Sequence, residues 1–200
     1  MMIYPQKDKV LEEFLEKYVT DKWVDKFIEV DEIYKGDKAA IDENIRLTFD
    51  KVCKMAIVLQ EKQLKGEINY IYISLLRTSI LENKGEYRID LYDENWFLDK
   101  EETSINIDLN FIYVPLFDFV RELKEKKKGY LRIITDMDIE NIMLREAYKF
   151  HILAVEFLKG IIENLIKTSS YEEMKKGENI KILAGEYMDE AEIIYPKNSI

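Results

Sequence analysis

One histidine, one cysteine and a knot of carboxylates are the side chains here whose types could do chemistry, and their spacing limits what that chemistry is. His151 is the sole histidine and Cys53 the sole cysteine. A thiolate–imidazole nucleophile would need these two brought together from distant segments. Cys53 sits on the apolar stripe of its helical pattern, where a thiol behaves as a small hydrophobe. One Cys and one His cannot build a structural zinc site of the usual kind within one chain. At helical spacing His151 neighbours Ala147, Tyr148, Ala154 and Val155, while Glu146 and Glu156 are five residues away and off its face. Tyr148 stands where the Glu-x-x-His of a di-iron bundle needs its glutamate. The expectation is a histidine satisfied by a partner and packed in or at the rim of the core. Asp90, Asp93 and Glu94 are the densest oxygen supply without histidine and would suit Mg²⁺ or Mn²⁺ in a hydrolase. A straight strand, however, sends Asp90 and Asp93 to opposite faces.

Short motifs add no chemistry. The chain contains no Gly-rich phosphate loop, dinucleotide fingerprint, Gly-x-Ser-x-Gly elbow or His-Glu-x-x-His. Asp136-Met137-Asp138, after the apolar run ending at Thr135, resembles the strand-end Asp-x-Asp of the haloacid dehalogenase-like phosphatases over these residues alone. Ile139-Glu140 follow where that family has a small Gly-Thr type pair. Helix capping by Thr135 or Asp136 accounts for the same acids. No catalytic residue, metal ligand set or cofactor is therefore assigned, and the balance leans away from an enzyme.

Charge is the more informative signal. Of a net −10, the stretch Glu86 to Glu102 holds seven acids against Arg88 and Lys100, and Gly185 to Tyr195 holds four acids and no base. Both segments carry aromatic residues. Charge bunched in this way concerns partners more than fold. It also argues against direct nucleic-acid binding, which needs clustered Lys and Arg. The one basic run, Lys124 to Lys128, reads as a helix C-terminus stopped by Gly129. A single cysteine suits a reducing, cytoplasmic setting, the N-terminus has no apolar signal core, and no apolar run approaches the ~20 residues that span a bilayer.

The elements that must position these residues follow from periodicity. With 200 residues, 47% hydrophobic, 35% charged and three prolines, the chain reads as one globular domain, residues 1–35 forming a helical N-terminal segment. Val10, Leu11, Phe14, Leu15 and Tyr18 mark one helix face, with a break at Thr20-Asp21 and a stop at Gly36. Long helices are expected over 38–65 and 138–167. Residues 68–93 read as a β-hairpin turning at Glu82 to Gly85, with Ile80 opposite Ile89 and Thr78 opposite Leu91. A strand follows over 104–112, then a helix beginning at Pro115. Tyr130 to Thr135 reads as a short strand, and Ile180 to Tyr195 as two strands bending near Asp189-Glu190. The fold class is α+β, a small antiparallel sheet packed against long helices.

The functional expectation is a non-catalytic acidic factor of the immunity, inhibitor or regulatory accessory type that binds a basic protein. Its binding residues would be Asp90, Tyr92, Asp93, Glu94, Trp96, Asp99, Glu101, Glu102, Glu186, Asp189 and Glu190. Trp96, Phe97 and Leu98 are expected mainly to plug their loop into the core, with Tyr92 and Trp96 as the anchors if they stay partly exposed. A divalent-metal hydrolase is the alternative and a nucleic-acid mimic the third reading. No membrane association is expected, and a homo-oligomer is left open.

Overall fold

The N-terminal stripe forms helix α1 (Tyr4–Tyr18), whose Phe14 is fully buried and meets Tyr130 edge-on at 5.2 Å. The computed structural model describes residues 4–196. The break at Thr20-Asp21 is present, with Asp21 in left-handed geometry at φ 61 just before α2 (Lys22–Glu61). Gly36 does not end the segment. α2 runs through it, and only Asp37 leaves helical angles (φ −121, ψ 19), which makes a kink. The helix expected over 38–65 is thus the second limb of a longer one, and it stops at Glu61. Ile45, Phe49, Val52, Cys53 and Ala56 form its buried stripe. Burial pushes the Cys53 thiol up to about 12. Cys53 should therefore be silent toward a thiol-specific reagent in the native protein and react fully in denaturant; fast native labelling would contradict this placement.

Five strands make one sheet in the order β3-β2-β1-β4-β5: β1 (Ile68–Leu75), β2 (Glu86–Tyr92), β3 (Ser104–Asp108), β4 (Lys176–Glu186) and β5 (Ala191–Tyr195). The α+β class holds, but the sheet is mixed. β4 pairs with β1 in parallel and the other neighbours are antiparallel. A parallel pair needs a long crossover, supplied by α4 (Asn110–Lys126), α5 (Asp136–Leu165) and α6 (Ser169–Glu173). Gln60 fixes the junction where α2, β1 and β4 meet. Its amide donates to the carbonyls of Gly66 (2.9 Å) and Lys175 (2.8 Å) and accepts from Lys175 N (3.0 Å).

The hairpin is shorter than its apolar run suggested. β1 ends at Leu75, and residues 77–81 turn into the short helix α3 (Arg77–Leu81), whose Ile80 is buried. The register is Ile73 opposite Ile89 and Ile71 opposite Leu91, not Ile80 and Thr78. Both registers place an isoleucine opposite Ile89, so pattern alone could not separate them. Asn83 takes the left-handed position at φ 57, not Gly85. Glycine at 85 answers a different need: an added Cβ would lie 2.5 Å from the Tyr113 ring.

Other boundaries also shift. The strand expected over 104–112 stops at Asp108. Phe111 and Ile112 belong to α4, in which Pro115 is internal and not the first residue. Asp108 Oδ1 accepts from Asn110 N at 2.7 Å and closes that turn. Residues 130–135 are not a strand. Lys127–Tyr130 form a 3-10 turn, and Leu131 and Arg132, not Gly129, adopt positive φ. α5 begins with the expected cap: Thr135 accepts from Asp138 N, and Asp138 reaches back to Thr135 N at 2.7 Å. The phosphatase-like acids are thereby committed to a helix start.

The helices cover one face of the sheet, where Ile71, Ile73, Leu75, Ile89, Leu91, Ile107, Ile182 and Ala184 are buried in the core. Strand alternation sends Tyr70, Tyr72, Ser74, Arg88, Asp90 and Tyr92 to the opposite face. Among the described residues, no helix is long and apolar enough to cross a membrane.

Candidate functional site

That opposite face carries most of the residues singled out by charge. At its centre Arg88 holds Asp90 through Nε at 2.8 and 3.0 Å and Glu102 through a terminal nitrogen at 2.8 Å. Asp90 is only 2% exposed. Burial lifts its carboxyl above the ordinary value, and the Arg88 guanidinium pulls the other way. Arg88 also lies over the Tyr187 ring at 5.7 Å. This contact bridges from β2 across β1 to the turn between β4 and β5, so the two acidic segments touch on this face at Arg88 and Tyr187.

A lid covers the other end. The loop after β2 returns as a 3-10 turn, Trp96–Leu98, and Trp96 packs on the sheet edge-on to Tyr70 at 4.2 Å, with Tyr92 at 5.5 Å and Phe97 at 4.9 Å. Its backbone is left-handed at φ 56, unfavourable for a side chain this large. The ring cluster and a buried ion pair hold it there. Lys65 Nζ, from the α2–β1 connection, meets Asp99 Oδ2 and Glu101 O, each at 2.6 Å, with side chains 0% and 3% exposed. Asp99 Oδ2 also accepts from Asp93 N at 2.9 Å. The expectation that Trp96, Phe97 and Leu98 plug into the core is corrected, since none of the three is buried and Leu98 is 83% exposed. The core lies on the far side of the sheet and is filled from the helices. The lid reaches only the open face.

The eleven expected binding residues thus divide by environment. The side chains of Asp90 and Asp99 are enclosed and ion-paired, so neither offers free charge. Asp93 turns to Asn95, accepting from its backbone and side-chain nitrogens. Glu94, Glu102, Asp189 and Glu190 are exposed, and Tyr92, Trp96 and Glu101 half-exposed. Glu186 pairs with Leu75 in the register, which turns it toward the helix side, where it meets Arg77 at 3.2 Å. Lys159 takes Glu192 at 2.9 Å. Three cations from outside the two segments (Lys65, Arg77 and Lys159) therefore reduce their formal −9 to −6. Among the described residues, no three His, Cys, Asp or Glu side chains converge to hold a metal ion, so the oxygen cage of the hydrolase reading is not assembled.

Composition gave no hint of a second feature. His151 Nδ1 lies 2.7 Å from the Tyr87 hydroxyl, which lies 2.9 Å from that of Tyr113. Both tyrosines are fully buried, and burial raises both phenols well above their ordinary value. His151 is 6% exposed, and burial depresses its pKa to about 4, with Arg77 acting in the same direction and Glu192 against it. The histidine was expected to be satisfied by a partner, and it is. Its partner comes from β2, which spacing within α5 could not disclose. The ring forms part of the lining of a cleft of about 470 Å³ between α3, α5 and the β4–β5 hairpin. No protein-family model, curated protein or solved structure matches this chain, so its site is read from its own residues alone.

Proposed function

We propose that this chain is a non-catalytic protein-binding factor, of the inhibitor, immunity or regulatory accessory kind, and that the open face of its sheet receives a basic protein. The observation that carries the reading is the meeting of the two acidic segments on that face, bridged by Arg88 and Tyr187. Half-exposed Trp96 and Tyr92, with exposed Phe97 and Met188, supply apolar anchors. Glu94, Glu102, Asp189 and Glu190 supply a charged rim. Aromatic anchors provide most of the affinity at such interfaces, and rim charges provide on-rate and choice of partner.

The test uses two baits beside the wild type in an extract of the native cell. A Trp96→Ala bait should lose about 2 kcal/mol of binding, roughly thirtyfold, to the captured partner. A Glu94→Lys, Asp189→Lys, Glu190→Lys bait should bind it more slowly and with a flatter salt dependence. The same partner captured with equal affinity and equal salt response by all three baits would reject this face.

A further inference from the structure

The His151 cleft lies on the helix side of the sheet and shares only the turn residues Asp189 and Glu190 with the docking face, and its volume of about 470 Å³ suits a small molecule. The hydrogen-bond chain behind it fixes the state of its floor. The Tyr113 hydroxyl has Tyr87 as its only hydrogen-bond partner among the described residues, so its proton goes to the Tyr87 oxygen. The Tyr87 proton then goes to His151 Nδ1. The reverse direction would strand a hydroxyl proton in the core. His151 is therefore the neutral Nε2–H tautomer. Nε2 has no protein partner among the described residues and opens into the cleft that His151 lines. A donor that opens into the cleft gives its hydrogen bond to water until a ligand acceptor replaces it.

The rest of the lining narrows what that something is. Ile152, Val155 and Ala184 give an apolar wall. Arg77 is matched to Glu186, and Glu192 to Lys159, whereas Asp189, whose Oδ1 accepts from Glu190 N, and Glu190 have no ion-pair partner among the described residues. The cleft thus offers one neutral donor, a hydrocarbon surface and two carboxylates at its rim without an ion-pair partner among the described residues. We propose that it binds a small aliphatic amine carrying a neutral oxygen acceptor, with the oxygen on His151 Nε2–H, the hydrocarbon against Ile152 and Val155, and the ammonium at Asp189 and Glu190. An anionic oxygen would meet the excess negative charge of the lining, and a bare amine would leave Nε2–H to water and gain no hydrogen bond there.

The sole imidazole gives a direct readout, because long-range ¹H–¹⁵N correlation spectra of the folded protein contain one histidine. Four probes are titrated at about pH 7, where an α-amino group is still largely protonated: L-leucinamide, 4-methylpentanamide without the amine, isoamylamine without the oxygen, and L-leucine with a carboxylate in place of the amide. Leucinamide is expected to shift Nε2 at the lowest concentration, with each of the others at least about tenfold weaker. An Asp189→Asn, Glu190→Gln variant should weaken leucinamide severalfold and leave 4-methylpentanamide unchanged. No shift with any probe up to ~10 mM, equal response to all four, or a preference for leucine would each overturn the proposal. These probes involve no protein partner, so the result stands apart from the fate of the docking face.

Discussion

Replacing Lys65 with methionine is expected to destabilise the protein by about 3–5 kcal/mol, the largest effect of any substitution on the lid. The pair is fully enclosed, with Lys65 Nζ 2.6 Å from both Asp99 Oδ2 and Glu101 O. Methionine keeps the volume and removes the charge, which leaves the Asp99 carboxylate buried with only backbone donors from Asp93 and Glu101. Urea denaturation gives the loss directly. The double variant Lys65→Met, Asp99→Leu should recover part of it, because a buried ion pair replaced by matched apolar groups costs far less than one half of it left behind. A single-substitution loss under about 1 kcal/mol would mean that the lid is held by the Trp96 ring cluster alone.

How much of this was legible depended on whether the deciding contact was local. Helix stripes such as Ile45 to Ala56 and Ile139 to Leu165 repeat within one element, so the second limb of α2 and most of α5 could be seen in the sequence, as could the alternation of β2 and a helix cap at Thr135 or Asp136, of which the structure uses Thr135. The end of β1 could not. Residues 78–81, Thr-Ser-Ile-Leu, carry β-branched and aliphatic side chains that suit a continued strand as readily as a helix. What turns them into α3 includes the Ser79 hydroxyl donating to Leu76 O and Lys84 O, together with packing of the buried Ile80. The parallel β1–β4 pair was equally hidden, because it joins segments separated by the whole helical crossover. Gly36 looked like a stop, yet α2 only kinks beside it, since the stripe on both sides packs against the same core.

For the candidate site, sequence charge located the right segments but overstated their free charge. The compensating cations, Lys65, Arg77 and Lys159, lie outside both segments and are brought in by tertiary structure. Strand alternation correctly grouped Arg88, Asp90 and Tyr92, and would also have assigned Glu186 to the other side had its register with Leu75 been known. The tyrosine–histidine chain gave no signal of its own. Tyr87 reads as an ordinary inward strand residue, Tyr113 as an ordinary helix residue, and His151 as a core histidine.

That chain also makes a pH prediction. His151 has a folded pKa of about 4 against an ordinary 6.5, held down first by burial and further by Arg77 on α3, while Glu192 on β5 opposes. A base with a depressed folded pKa contributes its full stability above the unfolded pKa, where neither state is protonated. Below 6.5 the unfolded chain takes up a proton that the folded one refuses. Stability then falls by about 1.4 kcal/mol per pH unit, reaching about 3 kcal/mol near pH 4. A His151→Gln variant lacks this proton uptake. It should start less stable at neutral pH, through loss of the Tyr87 hydrogen bond, and lose about 3 kcal/mol less than wild type between pH 7 and 4. Urea unfolding of the two proteins across that range measures the difference, and the imidazole resonances of the folded wild type should stay unprotonated down to about pH 5. An imidazole titrating near 6.5 in the folded protein would show that burial does not hold the ring neutral, and with it the neutral donor at the cleft would be lost.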